Sequence, residues 1–233
     1  MKPLVPEDRI VPWQGELPKD CPIVPLKYLV SINPTPLRED TPLDYEIRYI
    51  DISSVSSHGE VIEVTAMPFR DAPSRARRIV KEGDIIVSTV RTYLKAIAYV
   101  DGDDNCLICS TGFAVLRPGN RVHPRFLFYW TRSNLFVDEI CARSIGVSYP
   151  AINAHEIGSI PFPVLDMAQQ QSIAIYLDHK LSQLRSVFGA LNGLVSASDS
   201  AAGALVDYRD HLITAAVTGQ IDLRNYRPEA LCQ

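Results

Sequence analysis

The sequence predicts an α+β protein: a mixed, mostly antiparallel-sheet domain followed by a long α-helical, coiled-coil spacer. Three observations carry this. Short runs rich in Val, Ile and Tyr fill the first half, separated by Gly, Asp, Asn and Pro. The pair Pro161 and Pro163 then closes that half. Beyond it, no proline interrupts the chain from Asp166 to Val217, and the apolar or small residues Leu184, Phe188, Leu191, Val195, Ser198, Ala202 and Leu205 step alternately by four and three. That alternation is the seam of a coiled coil, and a seam needs a partner.

The elements follow in order. The first 26 residues, rich in proline and charge, read as an extended arm. Strands are expected in EIRYIDI, GEVIEVT, DIIVSTV, AIAYV and CLICSTGFAVL. HPRFLFYWTRSNLFVDEICAR has helical spacing through Phe126, Tyr129, Trp130, Leu135, Phe136 and Ile140, with a break at Thr131 to Asn134. GVSYPAIN reads as a loop. Asp166 with Gln169 forms the N-cap and capping box of the closing helix, and Gly219 is its stop. Unbroken, that helix would be about 75 Å long. Gly189, Gly193 and Gly203 lie within it and cost roughly 1 kcal/mol each against alanine, so a bend or break is expected around Gly193 to Gly203. The domains are therefore 1–165, a helical region 166–220 and a tail 221–233.

Composition excludes several classes. Hydrophobic residues are 46% and charged residues 21% of the 233, as in globular rather than disordered chains. No apolar run approaches the roughly 20 residues that span a bilayer. The N-terminus lacks a signal peptide's apolar core. A cytoplasmic location without membrane contact is expected. The cysteines, Cys21, Cys106, Cys109, Cys141 and Cys232, are odd in number and make a single CxxC, half of a four-thiolate zinc site. On a strand Cys106 and Cys109 face opposite ways, so buried structural thiols are expected and no metal.

No catalytic constellation emerges. His58, His123, His155, His179 and His211 are scattered, without HxH or HExxH spacing. The nucleophile elbow and the P-loop are missing. Asn33-Pro34 is followed by Thr35, where the DNA methyltransferase signature has a second proline. A thiol hydrolase built on Cys141 or Cys109 with a histidine would need residues assembled from afar. No catalytic residue and no cofactor are assigned.

Charge is more informative. The net charge is −4, yet residues 67–98 carry 7 basic and 3 acidic side chains, net +4, against net −5 for residues 1–66. Local potential, more than total charge, attracts phosphates. Taken alone, such a stretch also reads as a solvated surface. Arg75, Arg77 and Arg78 open it, and Ser88, Thr89, Arg91, Thr92, Tyr93 and Lys95 follow at a strand end. Arg143, Ser144, Ser148 and Tyr149 surround a glycine downstream. Hydroxyls, aromatics and cations are the groups that reach phosphates and base edges.

These motifs together resemble the specificity (S) subunit of type I restriction-modification systems. The match is carried by RARRIVKEGDIIVSTVR (75–91), ICSTGFAVLRP (108–118), GVSYPAIN (146–153), IPFPVL (160–165), IAIYLD (173–178) and YRDHLITAAVTGQIDLR (208–224). The resemblance implies a DNA target recognition domain over 1–165 and a helical spacer and dimerisation region over 166–220. Full subunits carry two such units; this chain shows one, the half-length form. The resemblance further implies a non-catalytic subunit whose partners are double-stranded DNA, a second copy of the chain, methyltransferase subunits and the restriction/translocase subunit. The expected DNA contacts are Arg75, Arg77, Arg78, Arg91, Thr92, Tyr93, Lys95, Ser148 and Tyr149. The expected dimer-helix positions are Leu184, Phe188, Leu191, Val195, Ala202 and Leu205. Where the family often has Glu-Gln ahead of the IA motif, this chain has Gln169-Gln170. The competing expectation is a coiled-coil scaffold that joins proteins and reads no DNA.

Overall fold

The computed structural model describes residues 21–56, 58–102, 106–192, 199–223 and 226, without the side chains of 187–192 and 199–202. Strands and helices are numbered in chain order. The middle of the molecule is a four-stranded antiparallel sheet in the order β2-β9-β6-β7, made of Val30–Ile32, Phe113–Pro118, Ile85–Ser88 and Ile97–Tyr99. Its central strands are continuous apolar runs because both faces are buried. Ile85, Val87, Ile97, Ala114 and Leu116 enter one core, and Ile86, Ala98, Phe113 and Val115 enter another. That is the period of two expected of a pleated strand.

The second core lies between this sheet and an outer one, β4-β3-β8-β5: Thr65–Pro68, Glu46–Ile50, Leu107–Ser110 and Ala76–Ile79. Here β3 and β8 run parallel while the other pairs are antiparallel, so the sheet is mixed. The expected strand CLICSTGFAVL is two strands, β8 and β9, in different sheets. The expected strand GEVIEVT supplies only an isolated bridge, Val55 to Val61, and the start of β4 at Thr65. Cys109 is fully buried between the sheets, while Cys106 lies 3.5 Å from the Tyr45 hydroxyl beside the core on the far face. The two thiols therefore diverge. Residues 21–26 leave the expected arm: β1, Ile23–Pro25, pairs with β10, Pro161–Pro163. Residues 1–20 and Cys232 lie outside the described residues.

The first core is closed by helices. The expected break in the aromatic stretch falls at Ser133, between α1 (Pro124–Arg132) and α2 (Asn134–Arg143). Ser133 caps α2 by accepting the Phe136 N–H. After a short α3 (Ala154–Gly158) comes α4 (Met167–Asn192), whose capping box is formed as expected. Gln169 N–H donates to Asp166 Oδ1 at 2.8 Å, and Asp166 N–H donates to Gln169 Oε1 at 3.3 Å. Gln170 is fully buried; it accepts from His123 N–H at 2.8 Å and donates to the carbonyls of Arg121 and Leu165. One side chain thus fastens the start of α4 to the start of α1.

The closing helix is not one rod, in keeping with the bend or break expected around Gly193 to Gly203. It is two helices, α4 and α5 (Asp199–Val217), with Gly219 beyond α5 at φ +76. Ile173 and Leu177 of α4 share one core with Leu212, Ile213, Ala216 and Val217 of α5. A straight helix would hold Ile173 and Val217 about 66 Å apart, so the chain reverses between them. Tyr226, past α5, meets His179 at 2.9 Å and the Tyr176 ring edge-on. Ile173 and Leu177 of α4 and Leu212, Ile213, Ala216 and Val217 of α5 are thus buried in the core that also holds Phe126, Leu127 and Trp130 of α1. Leu184, expected on an intermolecular seam, packs against this core, and Leu205 is half-buried. Val195 and the side chains of Phe188, Leu191 and Ala202 lie outside the described residues. Among the described residues, no helix is long and apolar enough to cross a membrane.

Candidate nucleic-acid interface

Three segments far apart in sequence meet along one edge of the two sheets. Thr111 N–H donates to Arg75 O at 2.8 Å, tying β5 to the turn between β8 and β9. Gly112 O in that turn accepts the Thr89 N–H and hydroxyl, both at 2.8 Å. Thr89 O accepts the Ile152 N–H at 2.9 Å, and Pro150 O accepts the Arg91 N–H at 2.8 Å. A continuous run of hydrogen bonds therefore joins the basic strand, the 89–95 loop and the GVSYPAIN loop.

The 89–95 loop is strained. Arg91 and Lys95, at φ +48 and +53, flank the 3₁₀ turn Thr92–Leu94. Left-handed conformation costs a non-glycine residue roughly 1–2 kcal/mol, and it persists because both ends are anchored. Lys95 Nζ lies 2.7 Å from Asp210 on α5. Thr92, expected to contact DNA, is buried, with its hydroxyl 2.9 Å from Ser144 Oγ. Lys95, expected likewise, faces the helices, because Asp210 offers it a carboxylate there. These two hold the loop while Tyr93 and Arg91 face solvent.

The second loop is a closed turn. Ile145 and Ala151 exchange backbone hydrogen bonds at 2.9 Å each. Gly146 sits at φ +116, where a Cβ would lie 3.1 Å from Tyr149 O, so glycine is required there. Val147, Ser148 and Tyr149 stand out at the tip, Val147 fully exposed. The Arg91 guanidinium lies over the Tyr149 ring, 4.5 Å from its centroid. The pairing makes one flat, cationic, aromatic surface from residues 58 positions apart.

Arg75 is exposed at the other end of the edge. Arg77 and Arg78 are half-buried: Arg77 lies over the Phe69 ring at 5.0 Å, and Arg78 donates to Thr111 O at 3.3 Å. Burial holds the Arg78 guanidinium below its ordinary pKa. Among the described residues, none of Arg75, Arg77, Arg78 and Arg91 pairs with a carboxylate, whereas Lys95, Arg117, Arg125, Arg143 and Arg209 do. Cation charge at this edge is thus uncompensated. Ile145 and Val147 stand exposed, which residue type alone does not foretell, since large apolar side chains more often enter a core. Burial pushes the Cys109 thiol up to about 12, which removes it as a nucleophile at neutral pH.

Asp210 supplies a test of the anchoring. Burial raises its pKa, but hydrogen bonds from Lys95 and Arg209 outweigh this and hold it below the usual carboxylate value. A carboxylate with a depressed folded pKa stabilises above its unfolded pKa of about 4, and that stability disappears as pH falls through the folded value. Lys95→Met is therefore expected to destabilise more at pH 7 than at pH 4. Equal shifts in urea midpoint at both values would show that the ion pair contributes nothing.

Comparison with known proteins agrees with this architecture. Residues 24–185 match the family described as the type I restriction modification DNA specificity domain. The chain belongs to that family. It is 32% identical over 107 residues to the type I restriction enzyme HindI specificity subunit of Haemophilus influenzae, covering 45% of this chain and 23% of that protein. The crystal structure of the HsdS subunit from Thermoanaerobacter tengcongensis superposes with a TM-score of 0.66 at 31% identity, over 75% of this chain and 45% of that one. A structure from work on complex assembly and conformational transition of the type I R-M system gives 0.67 at 32%, with the same coverage. The chain thus spans less than half the length of these relatives.

Proposed function

We propose that the chain reads duplex DNA sequence through the edge formed by residues 75–78, 91–93 and 145–151, and carries no catalytic activity of its own. The observation that carries this is the stacked Arg91–Tyr149 pair beside arginines without carboxylate partners. Arg75, Arg77 and Arg78 engage phosphates, which position the domain. Arg91, Tyr93, Ser148 and Tyr149 reach base edges, which specify sequence. A second copy of the chain, joined through the outward faces of the helical region, supplies the other half of a bipartite palindromic site. The helices also dock methyltransferase subunits, and the complex recruits the restriction/translocase subunit. In that assembly the chain directs adenine methylation or cleavage. Its membership of the specificity family supports this reading.

Selection from a randomised duplex library, with and without the methyltransferase subunit, tests it. The expected product is one sequence in two inverted half-sites separated by unread base pairs. A single half-site would remove the second copy. No preference under either condition would leave a scaffold that joins proteins.

A further inference from the structure

Exposed apolar side chains are unevenly spread over the molecule. Among the described residues eleven large apolar or aromatic side chains stand in solvent, and five of them, Tyr93, Leu94, Ile145, Val147 and Tyr149, belong to the two loops of the candidate edge. Single exposed apolar residues call for no explanation, but a cluster marks a surface that meets a partner. The two loops form one surface, joined by the 2.9 Å contact of the Thr92 hydroxyl with Ser144 Oγ and by the Arg91 N–H donated to Pro150 O. Polar contacts to bases give Arg91, Tyr93, Ser148 and Tyr149 a role. They give none to Ile145, which is 83% exposed, or to Val147, which is wholly exposed.

The backbone holds Val147 out. Ala151 pairs with Ile145 on one side and with Val90 on the other, so both stems of the turn are tied to the strand end that carries Arg91. Gly146, at φ +116, makes the reversal, and Pro150 fixes its own φ on the return. Valine has a single side-chain torsion, and its branch restricts that. Fixing it against a partner therefore costs little entropy.

The surroundings select a polyanion. Residues 89–95 and 144–151 contain no Asp or Glu, and the Arg91 guanidinium lies over the Tyr149 ring where the loops meet. The apolar group that a duplex offers in its major groove is the thymine C5-methyl, beside the base-edge acceptors that an arginine reads. Side chains that pry base steps apart are mostly longer or bulkier, such as Phe, Leu and Met. Val147 is too short to fill a step while its backbone stays outside the helix, and Ile145 sits behind it in the paired stem. We propose that Val147 reads thymine in the recognised sequence by covering its C5-methyl, with Ile145 behind it excluding water. The inference rests on the duplex reading above and adds to it an A·T pair in each half-site, close to the base that Arg91 contacts.

Randomised duplex libraries built with thymine or with uracil, which differ only in that methyl group, test this on the full chain with its methyltransferase subunit. The thymine library is expected to yield a site with thymine at one fixed position of each half. Uracil at that position alone should weaken binding about fourfold, the worth of one methyl group removed from water. Val147→Ser, a change at a wholly exposed position, should bind the thymine and uracil sites equally there and keep its preference at the other positions. A preferred site without thymine, equal binding of thymine and uracil at every position, or a fourfold ratio that survives in Val147→Ser would each overturn the assignment while sequence reading stands. No preference in either library would overturn both.

Discussion

Alanine at both Arg75 and Arg91 is expected to weaken duplex binding on the order of a hundredfold, with separable causes. Arg75 is exposed and sits on the basic strand, where a phosphate contact is sequence-independent. Its loss should lower affinity evenly across sequences and reduce the slope of log K against log salt by about 1. Arg91 stacks on Tyr149 at the loop junction. Its loss should cost about 1–3 kcal/mol against the preferred site and relax the preference there. Neither side chain supports the core, so the unfolding midpoint should hold. Salt titration of both single variants checks this. An Arg91→Ala protein that binds less tightly yet retains its full preference would make Arg91 a phosphate contact and move base readout elsewhere.

The features legible in sequence were those set by neighbouring residues. The Asp166–Gln169 capping box, the break at Ser133 and the stop at Gly219 each involve groups within a turn of one another. The central strands were legible because burial on both faces leaves an apolar run. β5 was not: its sequence ARRI places two arginines on a strand that only pairing with β8 makes visible. β1 and β10 were masked by prolines, which a two-stranded ribbon tolerates because each has an unpaired edge. At the candidate site, Arg91 and Tyr149 were chosen by residue type, and the fold brings them together. Lys95 was chosen by the same rule, but its carboxylate partner is 115 residues away. The packing of Ile173 and Leu177 against Leu212 and Ile213 was not legible, because apolar spacing marks a buried face without naming the element that covers it.

The largest effect on stability is expected at Arg117. Asp84 is almost wholly buried, 1% exposed, and its carboxylate receives both Arg117 Nε at 2.8 Å and Nη2 at 2.7 Å. Lys81 N–H donates to the same carboxylate at 2.9 Å. The carboxylate in turn raises the Arg117 pKa. This two-pronged pair ties β9 to the turn entering β6, and Arg117 also donates to Thr35 at 3.3 Å. Removing one partner from a buried pair leaves the other charge uncompensated, which costs far more than the pair itself contributes. Arg117→Met is expected to lose about 3 kcal/mol, roughly 6–12 °C in Tm for a domain of this size. The penalty comes from the stranded carboxylate, so Asp84→Asn added to Arg117→Met should recover part of the loss, although Asp84→Asn alone destabilises. Additive losses in that double-variant cycle would mean that the two residues do not act as a pair. The measurement bears on the candidate interface as well, because β6 leads directly into the loop that presents Arg91. A weakened junction should therefore lower duplex affinity in Arg117→Met, and the double variant should restore both together.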